Sequence, residues 1–252
     1  MGSAEVADRV YQGQPELSVI IPAHEEAGEL PGTLDNLCVV VAELGVPAEI
    51  IVVDNASRDA TATTALAHGA RVVSERHRQI ARARNTGARA ARADRLLFVD
   101  ADTWPAAELV ARALNALDGG ACGGGAMVSM PALPGRFYRW GLATWNALAR
   151  RMHLAAGCFV FVRRDAFTAV GGFDERYYAG DEVLLSRQLA RWGRRYARPF
   201  ILIESPPVMT SARKAVWFSP LQHLATVGLV VLCPPAMRSR RLMWFWYGRP
   251  GA

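Results

Sequence analysis

Acidic residues are missing from the end of this 252-residue chain. After Glu204 the sequence has no aspartate or glutamate, but it has six basic residues: Arg213, Lys214, Arg238, Arg240, Arg241 and Arg249. The formal net charge is +6, so residues 1–204 are nearly neutral and the basic surplus lies in the tail. A basic segment favours an anionic surface, either a membrane or a nucleic acid. The sequence lacks a recognisable nucleic-acid-binding module, and we therefore expect no nucleic-acid partner.

Several familiar sequence signals are also missing. Residues 1–16 contain three acids and no apolar run, so they predict no secretory signal. Neither G-x-G-x-x-G after the first apolar run nor GK[ST] occurs, which excludes dinucleotide-dependent dehydrogenases and P-loop enzymes. The cysteines are few, widely spaced and in apolar surroundings, which predicts reduced core residues and a cytoplasmic protein. They are Cys38, Cys122, Cys158 and Cys233.

Short apolar runs rich in valine and isoleucine alternate with helical stretches in the first hundred residues. The runs are 17–22, 48–54, 70–75 and 95–100, and helical spacing occupies 29–44 and 79–92. This alternation predicts an α/β fold with a mainly parallel, doubly wound sheet and helices on both faces. After an N-terminal extension (1–16), residues 17–104 would form a nucleotide-binding half. Residues 105–204 would hold the molecule with which that ligand reacts.

Acidic residues follow three of the predicted strands. Glu25 follows the first strand, Asp54 ends the second, and Asp100 and Asp102 end the fourth. Ligands of open parallel sheets bind beyond the carboxyl ends of the strands, so the three sets together predict one site. A simpler alternative is that Asp102 caps a helix beginning at Pro105 and that Asp100 is only solvated.

The chemistry of this predicted crevice indicates its ligand. Clustered carboxylates attract a hard cation, Mg²⁺ or Mn²⁺, which keeps water and phosphate oxygens among its ligands. The natural partner is then a nucleotide diphosphate. Asp102 would bind the metal and Asp100 the ribose, while Glu25 and Asp54 would accept hydrogen bonds from the base and ribose. Three arginines could meet the pyrophosphate or the base, although at least one is expected on a solvated helix face: Arg78, Arg82 and Arg84.

Six segments, in this order, resemble the family 2 glycosyltransferases, which have the GT-A fold. They are "VIIPAHEE", "IIVVDNASRDAT", "ARNTGARAA", "FVDADT", "VGGFDE" and "GDEVLLSRQL". The resemblance covers about residues 17–204 and implies transfer of a sugar from a nucleotide diphosphate sugar, with inversion and with a divalent metal held through the D-x-D. It also places Pro22 and His24, beside Glu25, in the donor-binding segment. His24 stands where the family usually has asparagine.

The resemblance assigns the catalytic base to the pair Asp181-Glu182. The family usually has Glu-Asp here with the second acid as base, so Glu182 is the base by position, and Asp181 orients it or caps the helix. Both acids also suit a first helical turn for electrostatic reasons alone, and the helix dipole would lower their pKa values. A retaining GT-A transferase and a catalytically silent nucleotide-sugar-binding subunit are the alternatives. The acceptor stays open, with a lipid-linked compound or a saccharide as candidates.

The tail, taken as residues 205–252, predicts peripheral contact with the cytoplasmic face of a membrane. Prolines leave Leu221–Cys233 as its longest helix-compatible run, which is shorter than the about 20 residues that a span needs. Aromatic residues flank this run at 217–218 and 244–247, with arginines between, as in short amphipathic interfacial segments. The alternative is that the tail packs on the catalytic domain or on a second subunit, as in a homodimer.

Overall fold

The computed structural model describes residues 14–248, so Arg249 and most of the predicted extension 1–16 lie outside the described residues. Its strands are β1 (Leu17–Ala23), β2 (Ala48–Asp54), β3 (Arg71–Ser74), β4 (Arg95–Val99), β5 (Thr103–Trp104), β6 (Gly123–Ser129), β7 (Phe159–Arg163) and β8 (Phe200–Thr210). Its helices are α1 (Leu30–Leu44), α2 (Thr61–Ala67), α3 (Ile80–Ala90), α4 (Ala107–Asp118), α5 (Gly135–Met152), α6 (Arg164–Ala169), α7 (Asp181–Arg195), α8 (Arg213–Trp217), α9 (Pro220–Leu232) and α10 (Trp244–Tyr247), with a 3-10 turn at Pro234–Arg238.

The eight strands form one sheet in the order β3-β2-β1-β4-β7-β6-β8-β5. The first four are parallel, and β1 pairs in register with β2 from Leu17 opposite Ala48 to Ala23 opposite Asp54. Beyond β4 the sheet is mixed, because β7 runs antiparallel to both β4 and β6. The predicted α/β fold of GT-A type is confirmed, and its parallel part coincides with the predicted nucleotide-binding half.

Helices cover both faces of the sheet, as the continuous apolar strands predict. Alternate residues of a strand point to opposite faces. Val19 and Ile21 pack with α1 and α4 on one face, whereas Ile20 and Ile51 pack with α3 and α7 on the other. Both faces are therefore apolar, and polar side chains are concentrated where the strands end.

Strand β8 corrects the predicted start of the tail. We place that boundary at residue 205, directly after Glu204, the last acidic residue of the sequence. Pro206 and Pro207, which have no N–H to donate to a sheet, follow this boundary. The strand nevertheless continues to Thr210 and pairs with β6 and β5. The ladder between β6 and β8 shifts register between Ala126 and Val128, opposite the prolines, so the missing donors fall at an irregularity. The tail therefore begins after Thr210.

The described part of the tail packs on the catalytic domain, as in the alternative left open above. Tyr178 donates its backbone N–H to the carbonyl of Met237 at 2.7 Å, and the Arg78 guanidinium donates to the carbonyl of Tyr247 at 2.6 Å. A small apolar cluster joins Ala179 to the tail. Within residues 14–248, no helix combines the length and apolarity that crossing a membrane requires.

Gly87 in α3 sets how closely this helix approaches the sheet. A Cβ atom there would overlap the side chains of Ile20 and Val53, whereas Gly141 in α5 has open space around it. We expect Gly87→Ala to destabilise the fold by about 1–3 kcal/mol through overpacking, despite a helix-propensity gain of about 1 kcal/mol. Gly141→Ala, the matched control, should stabilise it by up to about 1 kcal/mol. Urea unfolding measures both, and a Gly87→Ala variant as stable as the parent would contradict this packing.

Candidate active site

A cavity of about 130 Å³ opens beyond the carboxyl ends of β1, β2 and β4. Five predicted donor-site residues line it: Pro22, His24, Arg78, Asp100 and Asp102. The cavity wall does not include the other predicted residues: Glu25, Asp54, Arg84, Asp181 and Glu182. Parallel strands bring their ends to one edge of the sheet, which explains why residues so far apart in sequence meet here.

Asp102 contacts an arginine of the tail instead of capping a helix. Helix α4 begins at Ala107, and no side chain hydrogen-bonds its N-terminus, so the helix-cap alternative is wrong. The Oδ2 atom of Asp102 lies 2.8 Å from Nε of Arg213. Burial raises the pKa of Asp102 to about 6, an effect that Arg213 opposes and the charge of Asp100 reinforces. Asp102 therefore faces the cavity already paired with a cation.

Arg213 also binds a second carboxylate of the cavity wall. Its two terminal nitrogens lie 2.6 and 2.7 Å from the carboxylate oxygens of Glu26, a bidentate arrangement, and its guanidinium lies 5.2 Å from the ring centre of Trp217. The chain after β8 brings Arg213 here, because Ser211 donates its backbone N–H to the carbonyl of Asp102 at 3.0 Å. The tail thus supplies part of the cavity wall.

The carboxylates of the cavity fit a divalent metal poorly in this arrangement. A hard cation needs several oxygen ligands, yet in the described part of the chain no three histidine, cysteine, aspartate or glutamate side chains are grouped to hold one. Asp102 and Glu26 pair with Arg213, and Asp100 pairs with Arg84 at 3.0 Å. Binding of Mn²⁺ or Mg²⁺ at Asp102 stays a prediction, and it would require Arg213 to move.

Arg84 lies behind the cavity rather than in its wall. Its side chain is only 4% exposed, and it donates to Asp100 at 3.0 Å, to Asp181 at 2.9 Å and to the carbonyl of Gly157 at 2.9 Å. A buried guanidinium needs such partners, because an unpaired charge in the interior is costly. The arginine expected at the pyrophosphate instead joins the end of β4 to the start of α7.

Asp181 and Glu182 begin α7 and differ in their surroundings. The side chain of Asp181 pairs with Arg84 and does not cap the helix. Burial raises the pKa of Glu182 to about 8, the charge of Asp181 adds to the rise, and Arg84 opposes it. Burial therefore outweighs the helix dipole that we expect to lower this pKa. A carboxyl with a pKa near neutrality is suited to general-base catalysis.

Glu25 and Asp54 lie in turns beside the cavity. The backbone N–H of Glu25 donates to Oγ of Ser57 at 3.0 Å, and Asp54 accepts from the backbone N–H of Ser57 at 3.1 Å. His24 hydrogen-bonds through Nδ1 with the backbone carbonyl of Asn55 at 2.8 Å. The predicted contacts of Glu25 and Asp54 with base and ribose stay predictions.

Sequence reasoning missed several residues of the cavity wall: Glu26, Asn55, Arg213, Lys214, Trp217, Trp246 and Tyr247. Asn55 accepts from the backbone N–H of Gln79 at 2.8 Å and donates to the carbonyls of Glu75 and His77 at 2.9 and 2.7 Å, which fixes the loop that carries Arg78. Asn55 directly follows Asp54 in the segment "IIVVDNASRDAT", and the sequence prediction used only the acidic residue of this pair. One sequence feature distinguishes Lys214 from the other basic residues of the tail: it is the only lysine in the sequence.

The fold matches solved glycosyltransferase structures. A mannosyltransferase from Pyrobaculum calidifontis, in complex with GDP-Man and Mn²⁺, is 21% identical with a TM-score of 0.60, over 97% of this chain and 76% of that one. Mannosyl-3-phosphoglycerate synthase from Rubrobacter xylanophilus is 20% identical with a TM-score of 0.62, over 96% and 79%. Glucosyl-3-phosphoglycerate synthase from Mycobacterium tuberculosis, in complex with Mn²⁺, UDP and its product glucosyl-3-phosphoglycerate, is 19% identical with a TM-score of 0.60, over 94% and 84%.

No curated protein matches the chain in sequence. The three structural matches described above are below 25% identity and show the fold alone. The family model described as glycosyl transferase family 2 matches residues 18–171, which is more than half of the chain and includes the strand ends that form the cavity. The predicted family is thereby confirmed: this chain is an enzyme of glycosyl transferase family 2.

Proposed function

We propose that this enzyme transfers a sugar from a nucleotide diphosphate sugar to an acceptor hydroxyl with inversion at the anomeric carbon. One observation carries the proposal. Arg84 connects Asp100, at the wall of the strand-end cavity, to Asp181, which directly precedes the base candidate Glu182 in the chain. A donor site and a carboxylate base are the two parts that direct displacement requires.

The chemistry follows from these parts. The acceptor oxygen forms a bond to the anomeric carbon while the bond from that carbon to the diphosphate oxygen breaks. The electron pair of the broken bond stays on the diphosphate, and the acceptor proton passes to the carboxylate of Glu182. Positive charge near the diphosphate lowers the barrier, because the leaving group gains negative charge in the transition state.

Glu182 suits the base role better than Asp181. The carboxylate of Asp181 already pairs with the Arg84 guanidinium at 2.9 Å. Its charge in turn helps to raise the pKa of Glu182. Asp181 is thus a positioning residue in this proposal.

Metal assistance, which the resemblance implies, is not a step of this proposal. The carboxylates that would hold Mn²⁺ or Mg²⁺ are paired with arginines in the structure. The metal and its site at Asp102 stay predictions. So do the contacts of Pro22, His24, Arg78 and Asp100 with the donor, and a lipid-linked or saccharide acceptor.

A donor screen tests the proposed reaction. We expect release of nucleotide diphosphate from one nucleotide sugar, and GDP-mannose and UDP-glucose are the first candidates because the matched structures carry GDP-Man and UDP. The screen is run with MnCl₂ and with EDTA, and the anomer of the product separates inversion from retention. If no nucleotide sugar is hydrolysed or transferred in either buffer, the chain is the silent binding subunit instead.

Replacing the base should remove turnover without removing donor binding. We expect Glu182→Gln to lower kcat by about 10² to 10⁴-fold, a usual contribution of a general base, with donor affinity unchanged. In the parent, kcat/KM should rise with pH up to about 8, because the raised pKa leaves the carboxyl protonated below that value. The groups acting on this carboxyl are Asp181 and Arg84.

The control for this variant is Glu108→Gln, an exposed glutamate of α4 that pairs with Arg112 and does not line the cavity. It should keep the parent kcat and the parent pH profile. If Glu182→Gln retains full turnover while Asp181→Asn loses it, the base is Asp181 and not Glu182.

We also propose that α9 lies against a membrane surface. Its exposed apolar side chains fall on one side of the helix at spacings of three and four: Leu221, Leu224, Val227, Val231 and Leu232. The opposite side packs on the domain through Leu229 and Val230. An apolar stripe beside the arginines 238, 240 and 241 is the pattern of an interfacial helix.

Replacing this stripe should weaken vesicle binding. We expect the double variant Leu224→Glu with Val231→Glu to bind anionic vesicles less than the parent at low salt, in co-sedimentation. The matched control, Val39→Glu with Leu66→Glu, places the same charges at exposed apolar positions of α1 and α2 and should bind as the parent. Equal binding by all three proteins would remove the membrane role. A dimer that only the first variant abolishes would assign the stripe to a second subunit.

A further inference from the structure

Lys214 presents an ammonium group to the cavity with no close partner. It is half-buried and lies in the wall beside Arg213. Within residues 14–248 its side chain makes no hydrogen bond or ion pair, and Asp102, Asp100 and Glu26 act on it only at longer range. Its nitrogen is accessible from the cavity rather than shut off from it, so it can meet an anionic group there. This feature points to an anionic ligand.

Arg213 has a different part in the same wall. It pairs with Asp102 at 2.8 Å and with Glu26 at 2.6 and 2.7 Å, so it neutralises two carboxylates that would otherwise repel an anion. With Arg78 and Lys214, the wall carries three cationic side chains against the three acids Glu26, Asp100 and Asp102. Arg84 adds a fourth cation directly behind Asp100. Counting Asp181, which also pairs with Arg84, four cations balance four acids, so the cavity carries no net negative charge that would repel a diphosphate.

We propose that Lys214 binds the diphosphate of the donor while Arg213 neutralises Asp102 and Glu26, so that these two residues supply the positive charge that a divalent metal would otherwise bring. The inference rests on the proposed sugar transfer and assigns two catalytic-site residues to it. Lys214 meets the charge that develops on the leaving diphosphate. Arg213 is a positioning residue that keeps the acids from opposing that charge.

The position of both residues in the chain supports this assignment. They begin α8, directly after β8, whose last residue pairs with Thr103 next to Asp102. The sheet itself therefore holds the start of the tail against the D-x-D. The Trp217 ring next to the Arg213 guanidinium restricts it further. Two adjacent cations fixed by a strand form a prearranged site, in which charges need no reorganisation during the reaction.

Equilibrium binding of GDP and UDP tests the inference without needing the acceptor. Calorimetry is carried out on the full chain in EDTA and in MnCl₂. We expect the parent to bind one of the two nucleotides in EDTA and to gain little from Mn²⁺. Lys214→Gln should weaken this binding about tenfold to a hundredfold, which is the usual contribution of a hydrogen bond to a charged group. Arg151→Gln, an exposed arginine of α5, is the control for loss of one charge and should bind as the parent.

Nucleotide binding by Arg213→Gln should depend on the metal, unlike nucleotide binding by the parent. In EDTA this variant should bind the nucleotide weakly, because Asp102 and Glu26 then lose the positive charge of Arg213. Mn²⁺ should restore part of the binding, because the freed carboxylates become available as ligands. Thermal unfolding of each variant checks that the fold is intact, and Lys214→Gln decides the question if Arg213→Gln does not fold, since the Lys214 side chain contributes no bond to the described fold.

Three outcomes separate this inference from the proposed function. Binding by the parent only in MnCl₂ would overturn the inference and leave sugar transfer standing. Unchanged binding in Lys214→Gln would overturn the role of Lys214 in the same way. Binding of neither nucleotide in either buffer would overturn the inference, and failure of the donor screen alongside it would overturn the proposed function as well.

Discussion

A buried guanidinium requires carboxylates around it, and Arg84 takes them from both halves of the catalytic domain. Asp100 follows the last parallel strand β4, whereas Asp181 begins the helix that lies between β7 and β8 of the mixed part. Losing both acids would leave an uncompensated charge in the interior, at a cost of about 3–5 kcal/mol. The pairing also holds the carboxyl of Asp181 next to Glu182, whose pKa is raised mainly by burial and further by Asp181. One ion network thus joins the strand-end cavity to the start of α7.

The basic surplus of the tail divides into two groups with different surroundings. Arg213 and Lys214 face the cavity, whereas Arg238, Arg240 and Arg241 are exposed near the apolar stripe of α9. The net charge of a sequence does not reveal this division, since buried and exposed arginines contribute equally to it. The pairing of β5 with β8 produces it, because that pairing turns the first two basic residues toward Asp102.

The sequence allowed the strands, their parallel order and the acidic edge to be predicted, because apolar periodicity and the positions of acids are local signals. Contacts between residues far apart in the chain could not be predicted from the sequence. Strand pairing brings Asp102 to Arg213. Arg84 meets Asp181 only in the folded sheet. The helical spacing of the arginines in α3 does predict that they differ in burial. Arg82 and Arg84 point to opposite sides of α3, and their side chains are 43% and 4% exposed, so the two could not share one role. The burial that raises the pKa of Glu182 is likewise a tertiary effect.

The tail contributes both to the charge balance of the strand-end cavity and to the outer surface of the molecule. Three carboxylates beside a diphosphate need compensation, and in this structure the tail brings two of the compensating cations. The helix that exposes the apolar stripe begins after Ser219, whose side chain and that of Gln222 form a capping box at its N-terminus. Only the short α8 separates this cap from β8, so a shift of α9 on a membrane would be transmitted to Arg213 and Lys214. The cations that pair with or face the acids of the cavity and the helix that carries the apolar stripe thus belong to one short stretch of chain that is held by β8.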